Sequence, residues 1–158
     1  MTEKHSFLLQ RVQPAMVGLI DGSLSTLAPI FGIALYTHKP HAAFVAGLAT
    51  AIGAGISMAY SEGLSDTGEL TGRGSPMVRG SITGVGTFIG GILHTLPFLI
   101  PNYHVALITA AIVVGLELIG LAAIRWRFFE TSFLKSLGYI SLGGAIIAVV
   151  GAAIGSSA

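Results

Sequence analysis

The chain has 158 residues, of which 53% are hydrophobic and only 9% are charged. Soluble globular domains carry about 25% charged residues, so this sequence cannot cover a water-facing surface with polar groups, and we expect one domain that has lipid as its solvent. The net charge of +1 does not favour nucleic-acid binding, and a chain without cysteine cannot form disulfides or thiolate metal sites.

Five apolar runs follow a polar N-terminal tail, residues 1–13. A hydrocarbon core about 30 Å thick requires roughly 20 helical residues to cross it, and backbone groups inside it must be hydrogen-bonded internally. Because the runs lack the alternation of barrel strands, we predict an all-α, integral membrane bundle of five transmembrane helices. The predicted spans are 14–36, 41–64, 77–100, 103–125 and 133–156.

The first run differs from a cleavable signal peptide, because its apolar stretch is too long and it contains an acidic residue. We therefore interpret it as a retained first span. Pro29 should kink this span, since proline removes a backbone hydrogen bond and its ring clashes with the preceding turn. All the connections between spans are short, so consecutive helices should be antiparallel neighbours.

Lysine and arginine are unevenly distributed among these connections. If the N-terminal tail is cytoplasmic, the inner segments carry seven such residues and the outer segments carry only Lys39. Cytoplasmic loops of membrane proteins are enriched in both residue types. We therefore predict an N-in, C-out, multi-pass protein, located in the cytoplasmic membrane if bacterial and in a vacuolar-type membrane if eukaryotic.

Glycines recur at four-residue spacing, a pattern that lets two transmembrane helices approach closely. With 22 glycines in the chain, any one such pair could arise by chance, so the pattern alone is weak evidence for a particular contact. The pairs are Gly18 and Gly22, Gly80 and Gly84, Gly86 and Gly90, and Gly151 and Gly155.

Asp21 is the one charged residue in the apolar run 17–32. A charged side chain at membrane depth costs about 2.5 to 3.5 kcal/mol on insertion scales, and such residues usually face a bundle interior or a water-filled path. Asp21 is therefore a candidate cation ligand or proton acceptor. The alternative is a structural hydrogen bond to a nearby hydroxyl such as that of Ser25, one turn further on.

Met58 and Glu62 lie four residues apart near the end of the second span, so they share one helix face. Glu62 should lie at the same depth as Asp21, because both are near the inner ends of antiparallel neighbours. Carboxylates with one thioether suit a divalent transition metal better than Mg²⁺ or Ca²⁺. The alternatives are ordinary packing for Met58 and contact with interfacial water for Glu62.

Four further polar residues are candidates for a supporting role. Glu117 and His94 lie well inside the fourth and third spans, where they could form a proton relay or a structural hydrogen-bonded pair. Asp66 and Glu69 lie in the inner loop after Glu62. They could attract cations to the inner mouth, or they could belong to a solvated turn balanced by nearby arginines.

Two of these segments resemble the vacuolar iron transporter family, the Fe²⁺/Mn²⁺ transporters that include nodulin-like members. The family's first helix carries an Asp-Gly pair followed by a Thr and an apolar stretch ending in Gly, which here is DGSLSTLAPIFG, residues 21–32. Its second helix carries Ser-Met-Ala and, two residues later, Glu, which here is SMAYSEGLS, residues 57–65. The predicted five spans and N-in topology are also similar.

The resemblance implies a homodimer with a translocation path at its interface, lined by the first helices. It places Asp21 and Met58 in the path and Glu62 at its cytoplasmic end, and it implies proton-coupled export of Fe²⁺ or Mn²⁺ without a resident cofactor. Iron-transporting relatives often insert a long Glu-rich metal-binding domain between the second and third spans. Here that connection is short, with only Asp66 and Glu69 as acids, which is typical of a minimal membrane core.

Two functions from other classes compete with metal transport. A non-transporting membrane scaffold or assembly subunit would use its buried acids only for structural hydrogen bonds. An intramembrane serine enzyme would need a histidine beside one of the serines Ser23, Ser25 or Ser57, and the spacing of the sequence provides no such partner. We therefore do not expect an enzyme.

Overall fold

The computed structural model describes residues 3–157, and it confirms the all-α class, since no strand occurs in that range. Four helices are long and apolar enough to cross a membrane, which is what a multi-pass membrane protein requires. They are Glu3–Thr37, Pro40–Ser65, Tyr103–Phe129 and Phe133–Ser157, with mean hydropathies between 1.5 and 2.4. Three of them agree within four residues with the predicted spans 41–64, 103–125 and 133–156, whereas the first helix begins at Glu3, within the predicted N-terminal tail, and not at residue 14.

The first of these helices is built from several segments. It comprises α1 (Glu3–Phe7), a π-helical segment (Leu8–Val12), α2 (Gln13–Ser25) and α3 (Leu27–Thr37). The interruption between α2 and α3 falls at Thr26, three residues before Pro29. Proline has no N–H to donate and its ring crowds the carbonyl four residues earlier, which here belongs to Ser25. The expected distortion of the first span therefore lies at Thr26.

The remaining elements follow in chain order with short connections. They are α4 (Pro40–Ser65), α5 (Pro76–Leu93), a short 3₁₀ helix (Leu96–Leu99), α6 (Tyr103–Phe129) and α7 (Phe133–Ser157).

The predicted third span, 77–100, is shorter in the structure, because α5 ends at Leu93. Pro97 follows four residues after Leu93, so its ring would clash with that carbonyl if the helix continued. In addition, α5 is not one of the four helices that meet the length and hydropathy of a membrane span. Its buried residues are mostly glycines and threonines, which form the face that packs against the neighbouring helices, while Val85, Phe88 and Ile89 are exposed on the other side.

Close backbone contacts hold α5 against α2. A methyl group at Gly18 would overlap the carbonyl oxygen of Thr83, and one at Gly22 would overlap the carbonyl oxygen of Thr87. Equally close approaches join α5 to α4 and α3 to α7. The glycines at those contacts include Gly80, Gly84, Gly151 and Gly155. The predicted glycine pairs therefore lie at helix contacts, where the lack of a side chain sets the distance between the axes.

The N-terminal segment, the loop 66–75 and the turn 130–132 lie at one end of the bundle. The side-chain amide of Gln10 joins the N-terminal segment to the loop, since it donates to the carbonyl oxygen of Gly72 at 3.1 Å. Lys4 of the N-terminal segment and Arg127 near the turn 130–132 line one cavity together. This end carries most of the arginines and lysines.

We predict that Gly22→Ala destabilises the bundle by about 1 to 3 kcal/mol, the usual cost of overpacking, because the added methyl group would force α2 away from α5. Thermal unfolding of the full chain in one detergent measures the change. Gly115→Ala is the matched control, since no atom lies within 4 Å of its added methyl group. A Gly22→Ala variant that unfolds at the parent temperature would contradict the packing described above.

Candidate functional site

Asp21 lies on α2, where the residue is half-buried, as Met58 is on α4. Within residues 3–157 it forms no hydrogen bond and no ion pair. The alternative partner, the hydroxyl of Ser25, is buried and also has no hydrogen-bond partner among those residues. Val17, one turn before Asp21 on the same face, is 39% exposed. The Asp21 carboxylate therefore faces outward from the protomer and remains free to bind a group from outside it.

Glu62, expected near water at the inner end of its span, instead pairs with two arginines. Its Oε1 atom accepts from Nη2 of Arg73 at 2.7 Å and from Nε of Arg79 at 2.9 Å. Arg79 is fully buried, and only 12% of the Glu62 side chain is exposed. In this conformation the two arginine charges oppose the binding of a cation by Glu62.

Asp66 joins the same group of charges. Its carboxylate accepts from Nη1 of Arg73 at 3.1 Å and from Nη2 of Arg79 at 3.3 Å, and it also accepts from the Gly68 amide and the Thr71 hydroxyl. Burial opposes ionisation, but the hydrogen bonds from Thr71 and Gly68 and the arginine charges outweigh it and hold the pKa of Asp66 below its ordinary value. We call Glu62, Asp66, Arg73 and Arg79 the arginine cluster.

Arg79 organises the loop 66–75 as well as the acids. It donates to the backbone oxygens of Gly74 and Asp66 at 3.0 and 3.1 Å. A buried arginine must have its donors and its charge satisfied, so the loop is folded around this side chain. The alternative of a turn balanced by arginines agrees with the geometry at Asp66, although the turn is partly buried. Glu69 is exposed and makes no contact of this kind.

Met58 lies one turn before Glu62 on α4 and is half-buried. Asp21 and Glu62 thus differ sharply, because the first has no partner and the second has two. Among the described residues, no group of three or more histidine, aspartate and glutamate side chains is placed to hold a metal ion.

A second polar group lies in the interior of the bundle, where the structure brings His94 and Glu117 together. Nδ1 of His94 lies 2.9 Å from Oε2 of Glu117, and Nε2 of His94 lies 2.6 Å from the hydroxyl oxygen of Thr26. The Thr26 hydroxyl also donates to the carbonyl oxygen of Gly22 at 2.9 Å. His94 and Thr26 are fully buried, and 8% of the Glu117 side chain is exposed. We call Thr26, His94 and Glu117 the buried triad.

Local features of the sequence place this triad. Thr26 occupies the interruption that precedes Pro29, and His94 directly follows the end of α5. Gly91 makes room for them, since a methyl group there would overlap the Thr26 side chain. Similar depth in adjacent spans predicted the pairing of His94 with Glu117. Thr26 was missed, although the position of Pro29 could have indicated a side chain at a helix break.

We predict that Asp66→Asn lowers the stability of the chain in a pH-dependent way. Because folding lowers the pKa of Asp66 below its usual 3.8, its ionised form stabilises the fold above that value, and the benefit is lost as the pH falls through the lowered pKa. The difference in unfolding temperature between parent and variant should therefore be largest near neutral pH and become smaller at acidic pH. Glu69→Gln is the control, and a pH-independent Asp66→Asn difference would contradict the ion-pair account.

No protein-family model matches this chain, and neither a curated protein nor a solved structure matches it. The resemblance stated above therefore depends on the two motifs at 21–32 and 57–65 and on the helical layout.

Proposed function

We propose that this protein transports a divalent transition-metal cation, Fe²⁺ or Mn²⁺, out of the cytoplasm in exchange for protons. The observation that carries this proposal is the Asp21 carboxylate, which lies in a helix apolar enough to span a membrane and has no partner within residues 3–157. An unpaired acid at that depth is costly. Its stabilising partner must come from outside the protomer, and a transported cation or proton meets this requirement.

A symmetric homodimer would complete the proposed cation site. Asp21 is on an open face of α2, and an isologous interface brings the same surface patch of both copies together. Two copies each of Asp21 and Met58 would then supply oxygen and thioether ligands, a mixture suited to borderline transition metals. The position of Asp21 on this open face supports the dimer that the family resemblance implies.

Glu62 has a different role in this proposal from the one that its position alone suggested. In the conformation described here, Arg73 and Arg79 neutralise its charge. We assign cation capture by Glu62 to a second conformation, in which the arginine cluster has opened at the inner end of the bundle. A closed cluster would then mark a closed inner mouth.

A membrane scaffold is the second candidate function, and the two paired acids favour it. Glu62 and Glu117 both form bonds within the protomer, as the structural acids of a scaffold would. Asp21 separates the two functions, because a scaffold gives no reason to keep an unpaired carboxylate in a membrane helix.

The test is metal uptake into vesicles that contain the purified chain, measured with Fe²⁺ or Mn²⁺ under an imposed pH gradient. We expect Asp21→Asn to lower the initial rate by about tenfold or more, the scale on which metal sites respond to the loss of supporting groups. Glu3→Gln makes the same chemical change at an exposed acid and should transport at the parent rate. An Asp21→Asn variant as active as the parent would refute the transport site and favour the scaffold.

A further inference from the structure

The buried triad connects three separate parts of the fold through hydrogen bonds. Thr26 lies at the interruption between α2 and α3, His94 follows the last turn of α5, and Glu117 lies in the middle of α6. The two ring nitrogens of His94 are both engaged, at 2.6 Å from Thr26 and 2.9 Å from Glu117. This series of hydrogen bonds limits which atoms of the triad can carry hydrogens.

The Thr26 hydroxyl has one hydrogen, and its oxygen lies within hydrogen-bond distance of both the Gly22 carbonyl oxygen and Nε2 of His94. When this hydrogen is donated to Gly22, the hydroxyl oxygen can only accept from His94, so Nε2 carries a hydrogen. On the other side, the contact between Nδ1 and Glu117 requires one more hydrogen between the two atoms. That hydrogen belongs either to His94, which makes an ion pair, or to Glu117, which makes a neutral pair. The triad has no net charge in both cases.

Removal of one proton leaves a single arrangement in which both ring nitrogens of His94 still form hydrogen bonds. Nε2 gives up its hydrogen, and the shared hydrogen becomes the Nδ1–H that donates to the Glu117 carboxylate. Nε2 is then an acceptor, so the Thr26 hydroxyl must turn from the Gly22 carbonyl to His94. Loss of one proton thus changes the histidine tautomer, rotates one hydroxyl and leaves one negative charge, which is costly in an apolar interior.

Two further observations indicate how a proton reaches the triad. Oε1 of Glu117 is buried and has no hydrogen-bond partner within the described chain. Glu117 also retains 8% side-chain exposure, against 1% for His94. The carboxyl group is thus the less buried end of the triad, and its Oε1 atom is an acceptor without a partner in the described chain.

Other ionisable groups on the packed helices do not complete the triad. Asp21 lies five residues before Thr26 and has no partner, whereas Glu62 and Arg79 belong to the arginine cluster. The others lie near the helix ends: Tyr36 on α3, His41 and Tyr60 on α4, Tyr103, His104, Arg125 and Arg127 on α6, and Lys135 and Tyr139 on α7. The protonation of the triad is therefore determined chiefly by its own three members.

We propose that Thr26, His94 and Glu117 form a site that binds and releases one proton, with the Thr26 hydroxyl turning between Gly22 and His94 as it does so. Proton uptake and release are thereby linked to the interruption between α2 and α3, five residues from Asp21. The site is defined by its own hydrogen bonds and does not depend on which cation, if any, the protein carries. If cations are transported, the triad is a candidate for the site of the exchanged proton.

Nitrogen NMR of the His94 ring, recorded on the full chain in lipid vesicles over a range of pH, tests the proposal. We expect the parent to hold Nε2–H at the lower pH and to change to Nδ1–H at higher pH, with one proton released per protomer. Glu117→Gln should abolish the tautomer change, because the amide cannot take part in sharing a proton. Thr26→Ser keeps a hydroxyl and should preserve the change, and Asp21→Asn should preserve it too.

The parent spectrum alone can overturn the proposal, so the test does not require that every variant folds. A His94 ring that keeps one tautomer throughout the pH range in which the chain is folded would make the triad purely structural. A tautomer change that persists in Glu117→Gln would also refute the shared-proton account. Asp21→Asn distinguishes the two proposals, because it should lower the rate of metal uptake by about tenfold or more and leave the His94 signals unchanged.

Discussion

The close approach of α5 to α2 and α4 is the constraint on which the rest of the structure depends. In lipid there is little hydrophobic gain from joining two helices, so packing contacts and interhelical hydrogen bonds must hold them together. Gly18 and Gly22 allow backbone contact with Thr83 and Thr87. This spacing brings the Thr26 interruption close enough to His94 for a hydrogen bond of 2.6 Å. Wider separation of the axes would break the triad as well as the packing.

The acids of the membrane region show how a low-dielectric environment treats charge. Glu62 is surrounded by arginine donors, and Glu117 shares a hydrogen with a buried histidine. Each arrangement compensates the desolvation of a carboxylate inside the protomer. Asp21 is the exception among the three, because nothing within residues 3–157 compensates it. Asp21 is significant for this reason: the fold neutralises Glu62 with arginines and Glu117 with a histidine, but neither kind of partner lies beside Asp21.

The sequence predicted the helical class and three helices to within four residues, and it offered the contact between His94 and Glu117 as one alternative, because these follow from hydropathy, length and depth. It could not predict the burial of Arg79, because the sequence around an arginine near a loop is the same whether its side chain is buried or solvated. Its burial depends on how the loop 66–75 folds back. The end of α5 at Leu93 was missed for a different reason: the apolar run continues past it, while Pro97 ends the helix.

Prolines therefore do more than bend this bundle. Pro29 and Pro97 each interrupt a helix, and the interrupted ends, Thr26 and the residues after Leu93, meet at the buried triad. Interrupted backbone inside a membrane is tolerated where protein groups satisfy the freed donors and acceptors, and the Thr26 hydroxyl does this for the Gly22 carbonyl. A hydroxyl that serves both the backbone and a histidine joins helix geometry to protonation. The helix break that follows Asp21 is therefore the point at which a change of charge in the interior can alter the shape of the first helix.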